Sequence, residues 1–251
     1  MILMYHHVAP LGDPSADGAR LHGWRYNHSP EAFEFQLREM RRRGYRMVSL
    51  DTLVDEIHHH GVEPPKTVAV TFDDGWLNNF THAFPILQAH AVPATFFCTT
   101  DHLQTGAPDP NKMTPAQLRA LIAAGMTIGG HTRTHPDLTR LPLEQARAEI
   151  AGCKQDLEQA LGVGIRFFAY PGGAFNRDIA RLTREAGYTA ACSVLGPARN
   201  DPSSLFWLYR DVLSETMDAW SDRYRLSPAA RRLLEFRVRR RLQRKLESLK
   251  F

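Results

Sequence analysis

Short runs of β-branched and apolar residues recur along this chain, most of them followed by a longer stretch with apolar residues at helical spacing. Strands are predicted at 2–5, 46–50, 67–72, 93–98, 126–130, 166–170, 189–194 and 208–213, and helices near 30–43, 51–59, 78–90, 114–124, 142–161 and 176–187. Ser29 and Pro30 cap and open the first helix. Such alternation with short links is the pattern of a parallel α/β domain. With 251 residues, 43% of them hydrophobic and 23% charged, the chain can build one substantial core, and disorder throughout is excluded. No apolar run reaches the ~18 residues that span a bilayer. Met1-Ile2-Leu3-Met4-Tyr5 is too short and lacks the basic start of a signal peptide, so a cytoplasmic location is expected.

The run Thr67-Val68-Ala69-Val70-Thr71-Phe72 reads as a buried parallel strand, and it ends in Asp73-Asp74-Gly75. Parallel α/β folds place their active sites at the carboxyl ends of strands. Two adjacent acids there repel each other unless a cation or a shared proton relieves them. The plain alternative is an Asp-Gly turn with no chemistry. A second segment, His131-Thr132-Arg133-Thr134-His135, follows the strand-like Met126–Gly130. Histidines four apart share a face if the segment is helical and can converge on one ion. Alone, such a pair is weak evidence. Joined to an Asp from another strand it gives two imidazoles and a carboxylate, a set suited to zinc, with iron, cobalt, nickel and manganese as alternatives.

With these motifs the chain resembles the polysaccharide deacetylases of carbohydrate esterase family 4, the NodB-like domain. Thr71-Phe72-Asp73-Asp74-Gly75 and, some sixty residues later, His131-Thr132-x-x-His135 match two of its motifs in order. Phe167-Phe168-Ala169-Tyr170-Pro171-Gly172-Gly173 stands where the family has an Arg-x-Pro-Tyr-type segment. Leu3-Met4-Tyr5-His6-His7-Val8 and Ser29-Pro30-Glu31-x-Phe33 are similar to the branch containing the bacterial poly-N-acetylglucosamine deacetylases. The resemblance covers roughly residues 1–213. It implies a distorted (β/α)7-8 barrel over 1–215 and removal of acetyl groups from N-acetylated glycans. It further implies Asp73 as general base, Asp74, His131 and His135 as ligands of a divalent metal, and the Tyr170-Pro171-Gly172 segment, through the Gly172 N–H, as oxyanion and substrate contact.

The sequence departs from the family in three places. No histidine follows His135, so the usual late Leu-x-His acid is missing. The branch resemblance points instead to His6 as general acid, against the alternative of a hydrogen-bonded core histidine. Ala169 replaces the Arg that many members pair with the base, and Arg210 is the candidate substitute, with an ordinary strand-edge Arg as the alternative. Gly172 replaces the aromatic after Pro. Trp24, Tyr26, Trp76, Phe175 and Trp207 are candidates for sugar stacking, although Phe175 and Trp207 equally suit a core.

Three cysteines, Cys98, Cys153 and Cys192, show no metal-like spacing and no evident base, and reduced thiols fit the cytosol. His58-His59-His60, just before Gly61, reads as a solvated helix end. Residues 231–251 carry nine Lys or Arg against Glu235 and Glu247, a net of +7 in a chain of +4 overall. Leu226, Ala230, Leu234, Val238, Leu242 and Leu246 recur every four residues, so 216–251 is expected to be a basic amphipathic helix. That helix either packs on the barrel or, through 226–251, touches an anionic membrane surface, making the protein peripheral there. No nucleic-acid motif is present, and no nucleic acid is expected as a partner. Two rivals remain: a glycan-binding barrel without turnover, which would have no need of Asp73, and an amidohydrolase acting on a small C–N substrate with the same metal site.

Overall fold

The computed structural model describes residues 1–10, 13, 27–104, 109–196 and 199–212. The strands are β1 (Ile2–Tyr5), β2 (His7–Val8), β3 (Asn27–His28), β4 (Arg46–Met47), β5 (Thr67–Phe72), β6 (Ala94–Cys98), β7 (Thr127–Gly130), β8 (Phe167–Ala169), β9 (Ala190–Ser193), β10 (Leu208–Tyr209) and β11 (Asp211–Val212). Between them lie α1 (Pro30–Arg42), α2 (Leu50–His60), a π-helical turn (Asn79–Ala83) running into α3 (Phe84–Ala89), α4 (Asp101–Gln104), α5 (Pro115–Ala123), α6 (Leu143–Leu161) and α7 (Arg177–Glu185). The helix ends follow local chemistry. Ser29 Oγ accepts the Ala32 N–H ahead of Pro30, Thr114 and Gln117 cap each other at α5, and Gly61 takes φ 72° after the three exposed histidines of α2.

The large sheet runs β10-β9-β8-β7-β6-β5-β1-β11, with β4 on β5, and every pairing is parallel. β10 and β11 are one run interrupted at Arg210: the first half pairs with β9, the second with β1. One strand thus joins the two ends of the sheet and closes it as the distorted (β/α) barrel. No helix among the described residues is long and apolar enough to cross a membrane. The proposed tail helix 216–251, and with it the 226–251 stripe, lies outside the described residues, as do Trp24 and Tyr26.

Strand periodicity sorts the core into two sets. Leu3, Tyr5, Val70, Phe72, Phe96, Ile128, Phe168 and Ala191 pack in one cluster with helix residues such as Phe33, Leu37, Leu121 and Ile150. Ile2, Ala69, Phe97, Phe167, Ala169, Ala190, Cys192 and Leu208 form the other, the barrel interior, into which α2 adds Leu53, Val54 and Ile57. Stepping by two toward the strand ends, this inner set continues to His6, Asp73, His131 and Arg210. Burial on both sides explains why β5 reads as a continuous apolar run.

The interior leaves no spare volume at Gly129, where a Cβ would lie 2.4 Å from the Phe97 ring and 3.0 Å from the Phe167 carbonyl. Gly129→Ala is expected to destabilise the protein by about 1–3 kcal/mol, the usual cost of overpacking, measured by urea denaturation.

Candidate active site

Asp73 follows β5 into the barrel mouth and is 2% exposed; its N–H donates to the Tyr5 carbonyl at 3.0 Å. Arg210, 1% exposed, donates both terminal nitrogens to the carboxylate, at 2.6 Å and 2.7 Å. Its NH1 also reaches Thr71 Oγ1 at 3.2 Å, and the guanidinium lies 5.5 Å from the Phe97 ring centroid. Burial on its own would raise the Asp73 pKa; Arg210, with His131 and His6, outweighs it and holds the carboxyl below its ordinary value. Asp73 is therefore a buried, ionised carboxylate, oriented by a fork-to-fork pair.

Asp74 occupies a left-handed turn at φ 72° and points elsewhere. Its Oδ1 lies 3.4 Å from His131 Nε2 and 3.3 Å from His135 Nε2. One ligand atom from each of the three lies within 4.8 Å of the others. His131 Nδ1 is 2.7 Å from the Ala169 carbonyl, which requires a proton on that nitrogen and turns Nε2 toward Asp74. Burial and His131 lower the His135 pKa against the pull of Asp74 and Asp73, so its ring is neutral near pH 7, as a ligand must be. Burial opposes ionisation of Asp74, but His131, His6 and Lys112 hold its pKa well below normal. Two imidazoles and a carboxylate converging in this way fit a divalent ion.

The histidines do not share a helix. His131 ends β7, and a loop with Thr132 at φ 66° and His135 at φ 61° brings the second ring back. Thr132 Oγ1 donates to the His131 carbonyl and accepts the His135 N–H at 2.9 Å. Helix α6 brackets this loop. Glu149 accepts the Arg133 and Thr134 N–H groups at 2.8 Å and 2.9 Å, and Asp156 takes the Arg133 side chain at 2.8 Å and 2.9 Å. Gly152 makes room: a Cβ there would sit 2.3 Å from Arg133 Cζ.

His6 lies between β1 and β2, half-buried, where the charges of Asp73, Asp74, Arg210 and His131 act on it. Burial lowers its pKa, and the two aspartates oppose that shift. Its neighbour His7 is buried against Trp76 (ring centroids 4.6 Å apart), with Nδ1 2.9 Å from Asn78 Nδ2. The 170–172 segment divides in two. Tyr170 is wholly buried and its hydroxyl donates to the Phe206 carbonyl at 2.8 Å, so its side chain belongs to the core. Gly173 N–H bonds Tyr170 O and Ala174 N–H bonds Pro171 O; Gly172, exposed at φ 59°, takes no part in these bonds. Among the aromatics, Phe175 is buried and stacked on Trp207 at 5.9 Å. Trp76 instead reaches Asp74, a contact that the sequence reading missed together with Lys112.

A sequence profile described as polysaccharide deacetylase matches residues 60–191. A chitooligosaccharide deacetylase of Bradyrhizobium sp. (strain ANU 289) is 29% identical over 132 residues, 51% of this chain and 56% of that protein. IcaB from Ammonifex degensii superposes with a TM-score of 0.72 at 26% identity, covering 88% of this chain and 93% of that one. The Streptococcus pyogenes deacetylase PplD, solved in complex with acetate, shares the fold with a TM-score of 0.77 at 23% identity, covering 90% and 97%. The chain spans 72% of one curated relative and about half the length of others, 41%, 51% and 56% in three cases.

Removing one partner of a buried ion pair strands the other. In metal-free protein near neutrality, Arg210→Met is expected to cost about 3–5 kcal/mol in urea denaturation. The folded Asp73 pKa lies below 3.8, so the pair stabilises fully above 3.8 and its contribution disappears as pH falls through the depressed value. The difference between variant and wild type should therefore narrow in acid.

Proposed function

The chain belongs to the polysaccharide deacetylase family, and we propose that it is a metal-dependent hydrolase that removes acetyl groups from N-acetylated sugars of a poly- or oligosaccharide. The observation that carries this reading is the division of labour between adjacent carboxylates: Asp73 is held ionised by Arg210, while Asp74 is turned toward His131 and His135. A binding barrel has no use for a buried, oriented base.

Asp74, His131 and His135 are the residues that would hold the ion, zinc by our reading, with cobalt, nickel, iron or manganese suiting the same donors. Bound there, it would polarise the acetyl carbonyl and acidify water. Asp73 takes a proton from the attacking water, and Arg210 keeps the carboxylate aimed and charged between turnovers. The Gly172 N–H is the donor offered to the developing oxyanion. His6 protonates the departing amine. The proton that Asp73 removes from water is balanced by the one His6 gives to the nitrogen, so water and amide give acetate and free amine.

The chitooligosaccharide deacetylase among its relatives supports N-acetylglucosamine units as the substrate. Similarity to IcaB is consistent with the poly-N-acetylglucosamine branch seen in Tyr5-His6-x-Val8. The basic stripe in 226–251 supports peripheral contact with an anionic membrane, where a nascent polymer would be met.

Purified protein with added zinc or cobalt should release acetate from N-acetylglucosamine oligomers, and chelator should stop it. Asp73→Asn should lower kcat by about 10²–10⁴-fold, the usual share of a general base. Metal-independent release, or full activity in Asp73→Asn, would refute the mechanism. His6→Ala should lower kcat more than it raises KM; a change in KM alone would make His6 a substrate contact.

A further inference from the structure

The residue after the Asp-Asp-Gly turn is held far more firmly than a groove wall needs. Gly75, at φ 71°, lets the chain fold tightly against β6, where a Cβ would come within 3.2 Å of Cys98. Trp76 then forms an isolated antiparallel bridge with Lys112, flanked by Leu77 N–H to Asn111 O at 2.7 Å and Met113 N–H to Gly75 O at 3.0 Å. The Lys112 ammonium sits 3.6 Å from the indole centroid, and the His7 ring stacks on it at 4.6 Å. The same ammonium donates to the Asp74 carbonyl at 2.6 Å. Held in this way, the indole aims Nε1–H at Asp74 Oδ2, 3.0 Å away, while Oδ1 is the oxygen near both histidines.

We propose that Trp76 is a positioning residue for the metal-holding set: its N–H occupies one Asp74 oxygen and so presents the other to His131 and His135. Without that bond the carboxylate can turn about its side-chain torsion, because the second oxygen has no other partner holding it among the hydrogen bonds described. Lys112 acts behind it, fixing both the ring and the Asp74 backbone. The inference rests on Asp74, His131 and His135 as the metal-holding residues, and its test separates the two.

Trp76→Phe keeps a ring between Lys112 and His7 and removes the donor together with part of the indole's volume. Zinc affinity, measured by competition with a chromophoric chelator, is expected to weaken about 10–100-fold, as for other outer partners of metal ligands. The thermal midpoint of the metal-free protein should stay near the wild-type value, which a purely structural role would not allow. Placing benzothienylalanine at 76 preserves the indole shape and puts sulfur where the N–H was; it should show the same loss of affinity. Unchanged affinity in Trp76→Phe with only KM altered would make Trp76 a sugar contact and overturn the inference. So would loss in Trp76→Phe without loss in the benzothienyl protein, which would assign the effect to packing. If Asp74→Ala abolishes zinc binding while neither change at 76 affects it, this inference fails and the site reading stands. A wild-type protein that binds no zinc would sink both.

Discussion

The bidentate pair between Arg210 and Asp73 connects the barrel's closure to its chemistry. Arg210 stands at the interruption between β10 and β11, where one strand changes partner from β9 to β1 and joins the sheet ends. Its side chain crosses the mouth to the carboxylate at the end of β5. Neither group would be tolerable alone at 1–2% exposure, because an unpaired buried charge costs several kcal/mol. Paired, they make the seam of the barrel and the ionised state of Asp73 one and the same constraint. Ala169 is small, and the guanidinium that meets Asp73 comes instead from the β10–β11 seam.

Around that pair, environment rather than residue type sets the roles. Two neighbouring aspartates differ by one step along the chain, yet Asp73 continues the inward register of β5 and Asp74 turns out of it at φ 72°. One meets a guanidinium, the other two imidazoles. The histidine loop cannot hold its left-handed residues by propensity alone. Glu149 and Asp156 on α6 accept its N–H groups and Arg133 from outside, and the Ala169 carbonyl sets the tautomer of His131 from inside.

Most of the fold was legible because buried parallel strands advertise themselves as apolar runs, and each strand and helix predicted within the described residues reappears within a few residues. The short β2–β3 pair was not, because two-residue strands carry no period. The convergence of Asp74, His131 and His135 was legible from the motifs, and the segment, which would have set both rings on one face had it been helical, is a loop closed by Thr132. Arg210 was left even between pairing and a surface edge. Counting by two along 208–212, as along 69–73, would have turned it inward with Asp73. Tyr170 looked like a site residue because of its position after β8; its register sends the ring the other way, into the outer core with Phe168 and Phe175. Trp76 and Lys112 meet across a bridge between residues 36 apart in sequence, and no local pattern announces such a contact.

The division of the two carboxylates is the central claim, and metal stoichiometry tests it directly. Zinc content after equilibrium dialysis would be compared for wild type, Asp73→Asn and Asp74→Asn. The account predicts about one ion per chain in the first two and none in the third, since the donors are Asp74, His131 and His135. Zinc retained by Asp74→Asn, or lost from Asp73→Asn, would contradict it.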